Sequence, residues 1–280
     1  MKVILAEHLG FCFGVAKAVN AAFEKANNNT NNENLYALGP LIHNTAVVYA
    51  LEEKGVKTIE GLEEVESGTV LIRSHGVSKE IYSILEQKKI NVLDNTCPFV
   101  KKIQQIVSDY EQQGYAVAII GNKKHPEVIG VNGWANYKSF IIQELEDAQL
   151  MPMVDKLCIV VQTTMEREKY NILKEELYNK AKVVEVFDTI CNATKDRQES
   201  ARELAQKVDA ILVIGGYHSS NTQKLVEVCK SQQPSATYHI ETARDIPMDQ
   251  IAKHEVIGIT AGASTPQWII DEVIQALDHI

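Results

Sequence analysis

One pattern occurs three times along the chain: a short apolar run leads to a cysteine, and an amphipathic helical segment follows. The three cysteines are Cys12, Cys97 and Cys191, which are 85 and 94 residues apart. Self-similarity at a nearly constant period indicates a chain built from copies of one structural unit. A chain of 280 residues also has room for two or three domains. The pattern therefore predicts three similar units, each with a thiol at the same position.

Within each repeat, short apolar runs such as NLYALG and YAVAIIG alternate with segments of helical periodicity. This alternation is typical of βα units whose strands form a parallel sheet. The third repeat lacks its last strand, and the N-terminal run VILAEH is expected to supply it. We predict an α/β fold of three small domains with approximate threefold symmetry, each with a mainly parallel sheet, around a common centre. The predicted boundaries are 13–96, 97–190 and 191–280, the last domain being completed by the N-terminal strand within residues 1–12.

The charge and the distribution of apolar residues exclude several classes of function. Lys and Arg number 28 against 37 Asp and Glu, a net charge of -9, which argues against a nucleic-acid surface. Apolar runs reach about six residues, far short of the ~20 that a membrane-spanning helix needs. Glu7 and His8 interrupt any export signal, and five widely spaced cysteines are not typical of a disulfide framework. We therefore expect a reduced, cytoplasmic protein that does not bind membranes.

Three thiols from three equivalent units could hold a metal centre. Thiolates favour zinc, copper(I) or iron–sulfur clusters, and three protein ligands leave one coordination position open. The alternative is that each cysteine is a small buried hydrophobe. Cys158 and Cys229 have no counterparts in the other repeats, so we assign them to the core.

Polar loops at the ends of the predicted strands are the candidate ligand-binding segments. Four residues after a strand-ending glycine, the three repeats carry His43, His125 and Ser219. Ligands of open α/β sheets bind at the carboxyl ends of the strands, and helix N-termini attract phosphate oxygens, so a phosphate or diphosphate is the favoured ligand. Other polar residues of these strand-end loops complete the candidate site: His75, Thr163, Ser220, Asn221 and Ser264. The remaining histidines are out of register, and we expect them to be structural or solvated: His8, His218, His239, His254 and His279.

Glu127 is the carboxylate nearest to a repeated loop position, two residues after His125. A carboxyl group that faces a closed site would have a raised pKa and could donate a proton near neutral pH. The alternative is an ordinary surface glutamate in the turn KKHPE. Neither of the common Gly-rich nucleotide-binding motifs is present, so a nucleotide cofactor has no direct support.

With these residues the chain resembles the 4-hydroxy-3-methylbut-2-enyl diphosphate reductases, the LytB or IspH family. The resemblance covers essentially the whole chain, and its ordered motifs are GFCFGV, GPLIHN, RSHGV, DNTCP, GNKKHPEVIG, QTT, SSN and TAGAST. It implies the last step of the methylerythritol phosphate route to isoprenoids. In that reaction the hydroxyl of an allylic diphosphate is removed with two electrons, giving isopentenyl and dimethylallyl diphosphate.

The resemblance also implies the role of each site residue. Cys12, Cys97 and Cys191 would hold one 4Fe–4S cluster per chain, with one open iron. Thr163 would contact the hydroxyl end of the substrate, and Glu127 would deliver protons. The diphosphate would be bound by the remaining residues: His43, His75, His125, Ser219, Ser220, Asn221 and Ser264. Electrons would come from a ferredoxin or flavodoxin, and we expect a monomer.

Two other functions are compatible with the same residues. One is a zinc-dependent hydrolase of a phosphorylated metabolite, with the three cysteines as zinc ligands and Glu127 as the base. The other is a non-enzymatic protein that binds a phosphorylated metabolite and whose cysteines are merely buried. Iron and zinc content distinguish the three.

Overall fold

The computed structural model describes residues 1–278, in which the strands form three four-stranded parallel sheets. In chain order the strands are β1 (Lys2–Leu5), β2 (Leu35–Leu38), β3 (Val56–Ile59), β4 (Thr69–Ile72), β5 (Asn91–Asp94), β6 (Ala116–Ile120), β7 (Phe140–Ile142), β8 (Val154–Val161), β9 (Ala181–Val186), β10 (Ala210–Ile214), β11 (Thr237–Ile240) and β12 (Val256–Ala261). The helices are α1 (Phe13–Asn27), α2 (Thr45–Glu52), α3 (Lys79–Gln87), α4 (Pro98–Gln112), α5 (Pro126–Asn132), α6 (Leu145–Leu150), α7 (Arg167–Tyr178), α8 (Asn192–Ala205), α9 (Ser220–Gln232), α10 (Met248–Ile251) and α11 (Gln267–Leu277).

The three sheets share one strand order. They read β3-β2-β4-β5, β7-β6-β8-β9 and β11-β10-β12-β1, and every neighbouring pair is parallel. In the third sheet the last place is taken by the N-terminal strand, with Lys2 opposite Val256. The repeated topology confirms the predicted fold class of three α/β domains with parallel sheets.

The chain divides into two compact units. Unit 1 contains Met1–Ala16, Ile42–Tyr49 and the chain from Asn192 onward; unit 2 contains Lys17–Leu41 and Ala50–Cys191, and with them the sheets of β2–β5 and β6–β9. The domain boundaries drawn from the sequence stay a prediction. His279 lies outside the described residues. Within residues 1–278, no helix has both the length and the apolar character needed to cross a membrane.

The apolar runs of the central strands are explained by burial on both faces of each sheet. In β10, Leu212 packs on α11, while Ile211 and Val213 on the opposite face pack on α8 and α9. Both faces of a parallel sheet are covered by helices, so its strands are continuously apolar instead of alternating. Each fully buried aliphatic side chain contributes roughly 1.5–3 kcal/mol.

The asparagine-rich loop after α1 is held by Glu33. Its carboxylate accepts hydrogen bonds from Lys25 Nζ at 2.7 Å and from Thr69 Oγ1 at 2.6 Å, and these bonds, the lysine's first, lower its pKa to about 2. A depressed carboxyl pKa stabilises the fold above the unfolded-state pKa, and this contribution is lost as the pH falls through the folded-state value. We expect Glu33→Gln to lower the free energy of unfolding by less than about 1 kcal/mol at pH 7. The difference should shrink between about pH 4.5 and 2 in urea titrations. A difference as large at pH 2 as at pH 7 would contradict this account of Glu33.

Candidate active site

The three repeated cysteines occupy equivalent corners, each directly before a helix. All three side chains are half-buried, and each backbone N–H donates to a carbonyl in the loop after a central strand of the cysteine's own sheet. The bonds are Cys12 N to Ala263 O at 3.2 Å, Cys97 N to Ser74 O at 3.0 Å and Cys191 N to Thr163 O at 3.0 Å. The acceptor loops follow β12, β4 and β8, which hold the same place in the three sheets. The three cysteines that are equivalent in the sequence repeats therefore also have the same backbone hydrogen bond in the structure.

The two cysteines outside this register lie in the core. Cys158 on β8 and Cys229 on α9 are both fully buried among apolar side chains. Burial raises the pKa of each thiol to about 12, so both remain protonated near neutral pH. Metal binding requires the thiolate, which makes Cys158 and Cys229 poor ligands.

An aspartate that the sequence reasoning missed shapes the corner before Cys97. Asp94 Oδ1 accepts the Thr96 N–H at 2.9 Å, and its Oδ2 pairs with Lys101 Nζ at 2.6 Å. The carboxylate thus ties the turn that precedes the cysteine to the first turn of α4.

An aspartate also shapes the corner before Cys191. Asp188 Oδ1 accepts the Ile190 N–H at 3.4 Å, and the carboxylate pairs with Arg167. Both aspartates lie three residues before the cysteine, in DNTCP and FDTIC, and this shared position is the sequence pattern that could have identified them. At the first corner the equivalent position is Leu9.

Glu127 and Thr163 form a buried hydrogen-bonded pair in unit 2. Glu127 Oε1 accepts the Thr163 N–H at 2.7 Å, and Oε2 accepts the Thr163 hydroxyl at 2.6 Å. Glu127 is only 3% exposed, so the alternative of a surface glutamate is wrong. Burial raises the pKa of Glu127 because it penalises the carboxylate more than the two bonds from Thr163 favour it. The pair is a protonatable carboxyl group in contact with a hydroxyl that can both donate and accept.

Two predicted histidines lie together beside this pair. The rings of His75 and His125 pack edge to face, with centroids 5.4 Å apart and ligating nitrogens within 4.8 Å of each other. His125 is the N-cap residue of α5, and its Nδ1 accepts the Glu127 N–H at 3.2 Å. A neutral ring whose Nδ1 accepts carries its proton on Nε2, which is then a donor. Two ring nitrogens at this spacing could bind one metal ion or the oxygens of one anion.

The loop that carries His75 is anchored through Val77. Its carbonyl accepts from Trp134 Nε1 at 3.0 Å and from Gln104 Nε2 at 3.3 Å. Gly76 has φ +71°, and a Cβ there would lie 2.5 Å from Gln104 Nε2, so glycine is required. Trp134 and Gln104 were not identified from the sequence, because their contact with this loop depends on packing between distant segments.

The predicted polar residues of unit 1 form a second group. Ser264 Oγ contacts Ser219 Oγ at 3.3 Å and donates to the His43 carbonyl at 3.3 Å. Ser219 is the N-cap residue of α9, and its hydroxyl accepts the Thr222 N–H at 3.3 Å. Ser220 is the first residue of that helix. The carboxamide of Asn221 is buried and has no hydrogen-bond partner within residues 1–278. An unsatisfied buried amide is costly, so it is a good candidate for a ligand contact.

Thr222, which the sequence reasoning missed, fixes the backbone around this group. It is fully buried, and its Oγ1 would lie 2.6 Å from a Cβ on Gly215 and 2.1 Å from a Cβ on Gly262. The two glycines, from the loops after β10 and β12, therefore allow both loops to approach the start of α9.

The whole chain matches one protein family. The sequence profile of the LytB protein matches residues 3–278. The chain belongs to the LytB protein family. A LytB relative from Alkaliphilus oremlandii, named 4-hydroxy-3-methylbut-2-enyl diphosphate reductase, is 50% identical over 100% of both chains. A relative of the same name from Clostridioides difficile is 46% identical, also over 100% of both chains.

Two solved structures agree with this membership. One is an (E)-4-hydroxy-3-methyl-but-2-enyl diphosphate reductase, described as the terminal enzyme of the non-mevalonate pathway; it is 40% identical with a TM-score of 0.73, and the match covers 100% of both chains. The other is the E-1-hydroxy-2-methyl-but-2-enyl-4-diphosphate reductase from Plasmodium falciparum, 28% identical with a TM-score of 0.92 over 99% of this chain and 87% of that one. The resemblance to the LytB family is confirmed, and the named relatives favour a reductase over the hydrolase and the binding protein.

Proposed function

We propose that this LytB family protein is a 4-hydroxy-3-methylbut-2-enyl diphosphate reductase. The reaction consumes two electrons and two protons: the allylic C–O bond breaks, a C–H bond forms, and the hydroxyl leaves as water. The products are isopentenyl and dimethylallyl diphosphate. The observation that carries the proposal is the buried Glu127–Thr163 pair, because hydroxide is a poor leaving group and its departure needs a proton donor.

Glu127 is suited to act as an acid. Its raised pKa favours the protonated form, whereas a zinc hydrolase would need an ionised base at this position. Thr163 Oγ1, 2.6 Å from Glu127 Oε2, can accept that proton while donating its own to a substrate hydroxyl. The pair can thus deliver a proton without a bulk water molecule.

The three corner cysteines are the proposed ligands of a 4Fe–4S cluster with one open iron. Cys12, Cys97 and Cys191 fit this role because their side chains are half-buried and their backbones hold equivalent positions in the three repeats. When bound, the cluster would supply the electrons and a Lewis-acidic iron. A carrier of the ferredoxin or flavodoxin type is the proposed source of those electrons.

The polar groups of unit 1 are proposed to bind phosphate oxygens. Ser219 and Ser220 lie at the start of α9, whose N-terminal amides favour an anion. Asn221 offers a buried amide without a partner among the described residues, and Ser264 offers a hydroxyl. His43 lies in the same unit and belongs to the same proposed set.

In unit 2, His75 and His125 are proposed to donate to phosphate oxygens as well. Their ring nitrogens lie within 4.8 Å of each other, close enough for both to reach one phosphate group. Trp134 and Gln104 would keep His75 in place through the Val77 carbonyl.

Anaerobic purification followed by turnover of the hydroxylated diphosphate with a reduced donor tests the proposal. We expect a brown protein with about four irons per chain, and release of both isopentenyl and dimethylallyl diphosphate. Stoichiometric zinc in a colourless protein would point to the hydrolase. Metal-free protein that binds the diphosphate without converting it would point to the binding protein.

Cysteine substitutions test the choice of ligands. We expect Cys97→Ala to lose iron, because it removes one of three proposed ligands, whereas Cys158→Ala should retain wild-type iron content. Cys158→Ala removes a buried thiol and serves as the matched control for any loss of core packing. Iron per chain after anaerobic reconstitution is the measurement. Full iron in Cys97→Ala would show that Cys97 is not a ligand.

A further inference from the structure

Arg197 is a buried arginine of unit 1 that has no place in the proposed reaction. It lies in the second turn of α8 and is 6% exposed. Its Nε and Nη2 both donate to the Gly10 carbonyl, at 3.2 and 2.8 Å, and its Nη1 donates to the Ala193 carbonyl at 2.9 Å. A buried guanidinium is costly unless its donors are satisfied, so a residue kept in this environment has a specific task.

The accepting carbonyl belongs to the Cys12 corner, which we define as residues 9–12. Gly10 has φ +74°, and a Cβ there would lie 3.1 Å from Ile270 Cδ1, so only glycine makes this turn without strain. The corner is otherwise tied down by backbone bonds from Gly10 N to Ala261 O at 3.4 Å and from Cys12 N to Ala263 O at 3.2 Å. The two bonds from Arg197 add a side-chain contribution to this turn.

Comparison of the three corners indicates what this contribution replaces. Asp94 and Asp188 each accept the N–H of the residue before their cysteine, from three positions before it. The Cys12 corner has Leu9 at that position and so lacks the aspartate. At the Cys12 corner, Arg197 of α8 instead donates to the Gly10 carbonyl, and its charge is opposite to that of the aspartates.

The charge of Arg197 lies near the backbone of Cys12. Two residues of chain span at most about 7 Å, so the guanidinium lies within about 10 Å of the Cys12 backbone. Charges that are buried are screened much less than charges on the surface. A cluster bound by three thiolates carries negative charge, and adding an electron makes it more negative.

We propose that Arg197 is a positioning residue of the Cys12 corner, and that its buried charge also favours the reduced state of the metal centre held there. The first part stands on the hydrogen bonds alone. The second part rests on the proposed function, because it requires that Cys12 be a cluster ligand.

Three variants of the full chain separate the two parts. Arg197→Gln removes the charge and the two-bond contact with Gly10, whereas Arg197→Lys retains the charge but loses the paired donors. Arg202→Gln is the matched control, since Arg202 is an exposed residue of the same helix.

Amide hydrogen exchange of the cluster-free chain tests positioning without any metal. Peptides covering residues 10–13 should exchange at least tenfold faster in Arg197→Gln and to an intermediate extent in Arg197→Lys. Peptides around Cys97 should be unchanged in both, and Arg202→Gln should match the wild type throughout. Wild-type exchange at residues 10–13 in Arg197→Gln would overturn the positioning role.

The reduction potential of the iron-loaded protein tests the role of charge. Arg197→Gln should shift the potential to a more negative value, whereas Arg197→Lys and Arg202→Gln should stay near the wild type. An unchanged potential in Arg197→Gln overturns the electrostatic part. If Arg197→Gln does not fold, Arg197→Met takes its place in both measurements, because it also removes the charge and the donors. Faster exchange at residues 10–13 supports the positioning role, a more negative potential supports the role of charge, and a wild-type value in either measurement overturns that part. Wild-type protein that takes up no iron would contradict the proposed function and, with it, the role of charge. The positioning role would still be tested by hydrogen exchange.

Discussion

Replacing Glu127 with glutamine is expected to reduce turnover by about 10²- to 10⁴-fold, the usual contribution of a positioned general acid. Glutamine has the same shape, and its carboxamide can still accept the Thr163 N–H while donating to the Thr163 hydroxyl. The buried pair should therefore keep its geometry. What the variant loses is the proton that leaves with the hydroxyl.

The measurement is anaerobic turnover together with iron content and substrate affinity. Iron and affinity should stay near the wild type, so that the loss appears in kcat. Glu146→Gln is the control, because Glu146 is an exposed glutamate of α6. Turnover of Glu127→Gln within about twofold of the wild type would remove Glu127 from the proton-donor role.

The pH dependence of the same variant provides an independent check. Wild-type activity should fall as the pH rises through the raised pKa of Glu127, because the protonated form is the acid. Glu127→Gln should lack that limb of the profile.

Stability should respond to pH in the same region. A carboxyl pKa that is raised on folding stabilises the protein below the unfolded-state pKa, and this contribution is lost as the pH rises through the folded-state value. Thus Glu127→Gln should unfold at a higher temperature than the wild type in alkaline buffer, and the gain should shrink toward pH 4. Higher stability with lower activity is the signature of a buried group retained for function.

Much of the fold could be predicted because strands and helices are indicated by patterns within short segments of the sequence. The central strands, such as β6 and β10, are apolar runs and the helices alternate with them, so three repeats of one pattern predict three parallel sheets. The cysteine corners follow from the same register, since each lies where a strand gives way to a helix. Even the aspartates before Cys97 and Cys191 were within reach of a closer comparison of the repeats.

The contacts that shape the candidate site could not be predicted in the same way. The sequence predicts Glu127 and Thr163 as site residues one by one. Their hydrogen bonds depend on β6 and β8 being neighbours and on the turn that follows each strand. Arg197 meets Gly10 across 187 positions of sequence. Such pairs are set by side-chain packing, which the periodicity of a single sequence does not encode.

The close approach of α5 to the His75 loop is the packing detail with the greatest expected consequence for the site. Gly130 lies against Gly76, where a Cβ would be 3.3 Å from the carbonyl oxygen, and Gly133 lies against Ser78. A Cβ on Gly133 would be 2.2 Å from Ser78 Cβ and 2.9 Å from Ser78 Cα. Real atoms do not approach this closely, and neither Ser78 atom can rotate away.

We therefore expect Gly133→Ala to lower the free energy of unfolding by about 1–3 kcal/mol, the usual cost of overpacking. The strain should also push the loop that carries His75 away from α5, whose N-cap residue is His125. Substrate affinity should fall as a result, while iron content should be retained because no cysteine is moved directly. Chemical denaturation and substrate titration are the measurements.

Two further variants separate a steric clash from a general effect of losing a glycine. Gly114→Ala is the control: Gly114 has φ +80° and open space around it, so alanine there introduces backbone strain without a clash. Gly133 has φ -64°, which alanine adopts freely, so its cost is steric alone. Adding Ser78→Gly to Gly133→Ala removes the nearer of the two clashing atoms and should recover a large part of both stability and affinity. If the double variant is no better than Gly133→Ala, the clash with Ser78 is not what separates the two histidines.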